Sequence, residues 1–170
     1  TIANDINANN ADCAGPDVPQ REQDMERAEQ LLAAAGVPQL DVEIVTENGF
    51  SGMLEMIQVY SQQAAEAGVT VTPRLVDTAT FLNDWGQWPA FVHFSDDPYP
   101  ALATQYYLPD GEENGSHWAD PEYIDLAGKL FGTSDPEAQC EYIAQMQAIE
   151  YERGGDIIPV FLQSLVVHSD

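Results

Sequence analysis

Basic residues are scarce in this sequence. Among 170 residues there are 5 Lys+Arg, with Lys129 the sole lysine, against 29 Asp+Glu, and the formal net charge is −24. A field this negative repels phosphate backbones and anionic headgroups, which excludes nucleic acid as a partner and disfavours an anionic membrane surface. Long apolar runs are missing too: none approaches the ~20 residues that span a bilayer. Residues 1–10 are polar and lack a basic start, so they do not read as a signal peptide. With no initiator Met, the chain reads as a processed protein or an excised fragment. There is no GxGxxG or GxxxxGKS/T phosphate loop, no GxSxG elbow and no HExxH. His93, His117 and His168 lie far apart without ligand spacing, so neither a metal nor a cofactor is expected.

Cysteine is scarce as well. Cys13 and Cys140 belong to no CxxC pair, which leaves zinc and thioredoxin-type readings without support. Two readings stay open: a disulfide, as in a secreted protein, or a buried Cys140 on a helix with a free Cys13 in a loop.

What is present is enough apolar material for a core. The hydrophobic fraction is 44% and the aromatic fraction 9%, unlike chains whose charge keeps them unfolded. The acidity fits a high-salt habitat or an extracellular setting. Residues 1–23, rich in Asn, Asp and Pro, read as an irregular arm, and residues 24–170 as one lobe. Asp24 can cap a helix whose apolar positions recur at helical spacing until Gly36. Residues 40–46 (LDVEIVT) alternate as a strand, and a helix carrying Met53, Ile57, Tyr60 and Ala64 follows. Further strands are expected at 69–76, 89–95 and 157–162, with helices after Asp77, near 101–107, after Asp120 and after Asp135. The two DPE sequences at 120–122 and 135–137 each combine a cap, a proline at the first helical position and an acid at the positive helix end. Strands alternating with helices predict an α/β fold with a mostly parallel sheet flanked by helices.

In open α/β sheets, ligands sit outside the carboxyl ends of the strands. That rule singles out two segments. One is the loop after the first strand, where Asn48 can hydrogen-bond a ligand and Phe50 can pack on it. The other is the end of the expected third strand, with His93, Phe94, Ser95, Asp96 and Asp97. Two carboxylates there suit a ligand ammonium through charge-assisted hydrogen bonds. Adjacent residues seldom reach the separation that glycoside hydrolysis needs, so a hydrolase built on Asp96 and Asp97 is a weak alternative and no enzyme is expected. A second alternative is a stand-alone acidic interaction module of a cell surface. A polar loop with Asp110, Glu112, Glu113 and Asn114 offers oxygen ligands but no EF-hand spacing.

Several of these segments, in order, resemble the family 5 extracellular solute-binding proteins, the peptide- and nickel-type receptors of ABC importers. Residues 24–36 (DMERAEQLLAAAG) are similar to that family's first helix, and 67–71 (AGVTV) to its helix-to-strand step. Residues 94–100 (FSDDPYP) resemble its Trp-containing turn, and Asn114 with 117–125 (HWADPEYID) its N…W-x-N-P-E motif. Residues 157–161 (IIPVF) resemble its late strand. The resemblance covers residues 24–168. It implies the periplasmic-binding-protein-like (type II) fold, and a C-terminal lobe whose missing N-terminal lobe would close on the ligand from the other side. It also implies ABC permease subunits as partners and an extracellular or periplasmic location, lipid-anchored in full length. The amino group of a peptide would fall to Asp96 or Asp97. The family's tryptophan is Phe94 here, and residues 46–51 hold no base for a ligand carboxylate. The solute, whether peptide-like or another small molecule, is therefore open.

Overall fold

The computed structural model describes residues 3–7, 13–95 and 97–161. The chain divides into two compact units, one of residues 22–95 and one of residues 1–21 with 96–170. The first boundary lies beside the end of the expected arm. The second falls between Ser95 and Asp96, inside the expected lobe.

The first unit is built on a parallel strand pair. It contains α1 (Met25–Ala34), β1 (Leu40–Glu47), α2 (Met53–Ala65), β2 (Val69–Val76) and α3 (Thr78–Asn83). β1 and β2 pair in parallel from Leu40↔Val69 to Glu47↔Val76. Parallel neighbours need a crossover, and α2 supplies it. Ile57 and Ala64 of α2 meet Val71 of β2 in a core that Val42, Ile44, Val69 and Val92 complete. Asp24 caps α1 by accepting from the Arg27 N–H at 2.8 Å, and Asp77 caps α3 by accepting from that of Thr80 at 2.9 Å. Gly68, between α2 and β2, has φ +82°, and a Cβ there would meet the Pro38 carbonyl oxygen at 2.9 Å. Only glycine fits that step.

The expected third strand is not a strand. Residues 89–95 make one parallel bridge, Val45↔Phe91. It rests on bonds from the Val45 N–H to the Ala90 carbonyl (3.0 Å) and from the Val92 N–H to the Val45 carbonyl (2.9 Å). The apolar run is instead explained by ring packing: Phe91 contacts Phe81, Trp85 and His93 with centroids 5.9, 5.0 and 5.7 Å away.

The second unit is helical. α4 (Tyr99–Leu102) continues into a π-helical turn (Ala103–Tyr107), and α5 (Pro121–Gly132) and α6 (Pro136–Arg153) follow. Both DPE sequences act as expected: Asp120 accepts from the Glu122 and Tyr123 N–H groups, and Asp135 from that of Glu137. Ile143, Met146 and Ile149 of α6 are buried. Cys13 and Cys140 form a disulfide that ties the arm to α6, with Cα atoms 5.2 Å apart. The expected last strand differs. Within 157–161 the Ile158 and Pro159 carbonyls accept from the Asp5 and Ala3 N–H groups, and Ile157 is 72% exposed. Pro159 has no N–H to continue a ladder. Leu162, the end of that expected strand, lies outside the described residues.

Asp120 does double duty, because Arg153 of α6 also donates to it at 2.7 Å and to Glu122 at 2.6 Å. The Arg153 guanidinium, followed by the cap hydrogen bonds, outweighs burial and holds the Asp120 carboxyl below its ordinary pKa. Asp120→Ala is expected to destabilise the chain by about 1–2 kcal/mol, the usual cost of a lost cap. Urea unfolding checks this; an unchanged midpoint would contradict it.

The whole is a mixed α/β architecture with a parallel sheet and flanking helices. Among the described residues no helix is long and apolar enough to cross a membrane.

Candidate functional site

The carboxyl end of β1 is a buried-to-exposed transition within four residues. Val45, Thr46 and Glu47 are buried, and Asn48, Gly49 and Phe50 emerge. β1 ends here because the chain turns around the Glu47 carboxylate. That carboxylate accepts from the Gly49 N–H at 2.6 Å, the Phe50 N–H at 3.0 Å and the Thr78 hydroxyl at 2.6 Å. Burial pushes the Glu47 carboxyl pKa up, but the three hydrogen bonds outweigh it and hold it below the ordinary value.

Phe50 then lies against Phe94, with ring centroids 4.2 Å apart and planes tilted by 56°. The rings are 48% and 41% exposed, so the pair forms an apolar step open to solvent. Phe94 is delivered by the bridged segment beside Val45. His93, one residue earlier, alternates to the other side and is half-buried. Its ring packs edge-on to Trp85 at 5.0 Å, and its Nδ1 lies 3.4 Å from the Phe94 carbonyl oxygen. The structure thus brings Phe50 and Phe94 together, leaves Asn48 exposed on the intervening loop, and places His93 in the aromatic cluster. Ser95 is half-buried at the end of this unit, Asp97 is half-buried in the helical unit, and Asp96 lies outside the described residues. Neither 46–51 nor 91–95 contains a Lys or Arg, and the one imidazole, His93, is packed in the aromatic cluster. Arg74, on β2, is held by Glu43 at 3.1 Å and lies over the Trp88 ring at 5.0 Å.

The polar loop before α5 has a structural role. Asn114 is buried; its amide donates to the Leu108 and Trp118 carbonyls and accepts from the Trp118 N–H and the Ser116 hydroxyl. An amide used four times in holding its own loop has little left for a cation. Among the described residues, no group of three or more His, Cys, Asp or Glu is placed to hold a metal ion.

Residues 1–116 match the profile of the bacterial extracellular solute-binding proteins, family 5, middle region. The chain belongs to this family. Solved structures carry the same fold. The chain is similar to HbpA2 from Haemophilus parasuis (TM-score 0.77, 18% identity, 91% of this chain and 33% of that one). It is similar to NikA from Staphylococcus aureus, solved with Ni(L-His)2 (TM-score 0.72, 22% identity, 81% and 31%). It is also similar to DppA from Helicobacter pylori, solved with the peptide STSA (TM-score 0.69, 18% identity, 84% and 30%). The chain spans about a third of the length of each. A search of curated proteins finds no match.

In this family 5 chain, two acidic residues stand out that the sequence reading did not single out. Glu47, one residue past the expected 40–46 strand, ends β1, is 2% exposed and organises the loop that follows. Its signal is the glycine two positions on: a Cβ on Gly49 would meet the Glu47 carboxylate at 2.8 Å and the Thr78 hydroxyl at 2.9 Å. Glu150, in the helical unit, is buried on α6 and accepts from the Tyr99 hydroxyl at 2.5 Å, the Tyr123 hydroxyl at 3.0 Å and the Asn7 N–H at 3.4 Å. Burial is the main cause that pushes its pKa up, to about 7, with the Asp156 charge adding and the hydrogen bonds opposing. The same burial and the Glu150 charge raise the Tyr99 and Tyr123 hydroxyls, so both remain donors at neutral pH.

Proposed function

We propose that this chain is the C-terminal, ligand-binding lobe of the substrate-binding component of an ABC importer. It captures a peptide-like or other small solute outside the cytoplasm and performs no catalytic step. The observation that carries this reading is the exposed Phe50–Phe94 pair at the carboxyl end of a parallel strand, where ligands of open α/β sheets bind. Family membership supports it. The two rings offer an apolar face, Asn48 and Ser95 offer neutral hydrogen-bonding groups, and Asp96 and Asp97 offer carboxylates for an ammonium. With no Lys or Arg in either segment, a neutral or cationic solute fits better than an anionic one.

The partners are the N-terminal lobe of the longer receptor and the permease subunits. Closure of the two lobes on the solute would shift an open–closed equilibrium through contacts made to both. The full-length receptor would sit at the cell surface or in the periplasm, held by a lipid anchor. A single lobe offers half a site. Calorimetry of this chain with the tripeptide Ala-Phe-Ala is therefore expected to give a Kd no tighter than about 1 mM, roughly −4 kcal/mol. Micromolar binding would overturn the half-site reading.

A further inference from the structure

Three features of the first unit converge on one side chain. Glu47 is the last residue of β1, and at 2% exposure it is the most deeply buried carboxylate of that unit's described residues. Its donors are two successive loop amides, Gly49 and Phe50, and the hydroxyl of Thr78, the first residue of α3. None of the three is a cation. The loop has been fitted around the carboxylate: position 49 has no room for a Cβ, because the carboxylate and the Thr78 hydroxyl occupy that space. The second anchored amide belongs to Phe50, whose ring reaches Phe94.

We propose that Glu47 is a positioning residue of the ligand edge: its carboxylate fixes the 47–50 loop to α3 and so presents the Phe50 ring to Phe94 before any ligand arrives. This rests on the reading of Phe50 and Phe94 as ligand-facing. A loop ordered in advance loses less conformational freedom on binding, which is how a residue that never touches the ligand strengthens its capture. The arrangement also explains why the exposed ring pair is ordered at all, since two half-exposed phenylalanines bury too little area to hold a loop by themselves. A carboxylate with three donors and no countercharge among the described residues stays ionised and adds negative potential behind the rings, which favours a neutral or cationic solute over an anionic one.

Glu47→Gln is nearly isosteric, but only one of its two terminal atoms still accepts, so either Phe50 or Gly49 with Thr78 loses its acceptor to a donating amide nitrogen. Amide hydrogen exchange without ligand is expected to speed up by about tenfold or more at Gly49 or Phe50, whichever faces the new amide nitrogen, in Glu47→Gln, and at both in Thr78→Val, while Thr78→Ser retains protection. Exchange at Ile57 and Val71, in the core, should stay within about twofold. In the unsubstituted chain the Gly49 amide proton shift should titrate with a midpoint below the ordinary glutamate value, and Glu47→Gln should abolish that titration. Unchanged exchange at both amides in Glu47→Gln overturns the proposal, and so does an equal rise at Gly49, Phe50, Ile57 and Val71, which would mark general loosening. These readouts need no ligand. A failure of the ligand reading appears separately, as the absence of any shift at Phe50 and Phe94 when the cationic peptide Ala-Phe-Ala amide is added to the unsubstituted chain.

Discussion

Replacing Cys13 and Cys140 together by serine is expected to lower stability by about 4–5 kcal/mol, the cost of reopening a very long loop in the chain-entropy model. The bridge spans a sequence separation of 127 and joins the arm to the N-terminal part of α6. It is not the arm's only attachment. The Ala3 N–H donates to the Pro159 carbonyl at 3.0 Å, the Ile158 N–H to Asp5 at 2.8 Å, and the Gln147 amide to the Asn7 carbonyl. Arg21 pairs with Asp5 at 2.8 Å and donates to the Tyr151 carbonyl. Apart from the buried Gln147–Asn7 bond, these bonds are at least partly exposed, and each contributes about 1 kcal/mol net. They hold the arm while the bridge is closed, and the bridge removes the entropy the arm would otherwise regain. Hydrogen exchange at Asn7 and Ile158 should therefore rise in the double variant along with the fall in global stability. A stability change under about 1 kcal/mol would contradict this account.

The second large effect is a pH dependence centred on Glu150. The folded chain keeps a proton on this carboxyl up to about pH 7, whereas the ordinary value is 4.5. Between those two values the folded state binds more protons than the unfolded one, so stability falls as pH rises. The contribution of Glu150 is fully present below about pH 4.5 and is lost as pH rises through about 7. Over that window it amounts to about 3 kcal/mol, or roughly 6–12 °C in Tm. The groups that bear on it are Tyr99 from α4, Tyr107 from the π-helical turn, Tyr123 from α5, the Asn7 backbone from the arm, and Asp156 beyond α6. Asp77, Asp120 and Glu47, whose pKa values are lowered, act in the opposite sense and destabilise the chain only in acid. Glu150→Gln keeps an oxygen to accept from a tyrosine hydroxyl and removes the titration. Relative to the parent chain, this variant should gain about 3 kcal/mol between pH 4.5 and 8. Parallel stability curves for the two would show that Glu150 is not the titrating group.

Much of this fold is written in local chemistry. Asp24, Asp77, Asp120 and Asp135 each cap the helix that follows them, because a short acceptor side chain before an apolar-periodic run has little else to bond. The strand expected at 69–76 is β2 residue for residue. What failed did so for a physical reason. The run 89–95 has the apolar content of a buried strand, but its Phe91 and His93 pack against the rings of Phe81 and Trp85, and ring packing leaves the same mark on hydrophobicity as a sheet interior. In 157–161, Pro159 and the returning arm replace a ladder that sequence distance concealed.

The candidate site divides in the same way. Phe50 and Phe94 follow from the rule that ligands gather at the carboxyl ends of parallel strands. Glu47 does not, because its burial depends on Thr78, which lies 31 positions away. Glu150 was half legible. It falls on the α6 stripe seven residues after Ile143, with Gln147 four after it, and polar side chains at such positions signal buried bonds. Their partners come from Tyr99, Tyr123 and the arm, which no local pattern could supply.

The most direct test of the central claim is a map of amide and aromatic shifts on this chain as Ala-Phe-Ala amide is added to millimolar concentration. Shifts confined to Asn48–Phe50 and His93–Asp97, and reduced in Phe50→Ala, are the predicted result. Shifts that avoid Phe50 and Phe94, or none at all, would contradict the reading of this edge as half of a solute-binding site.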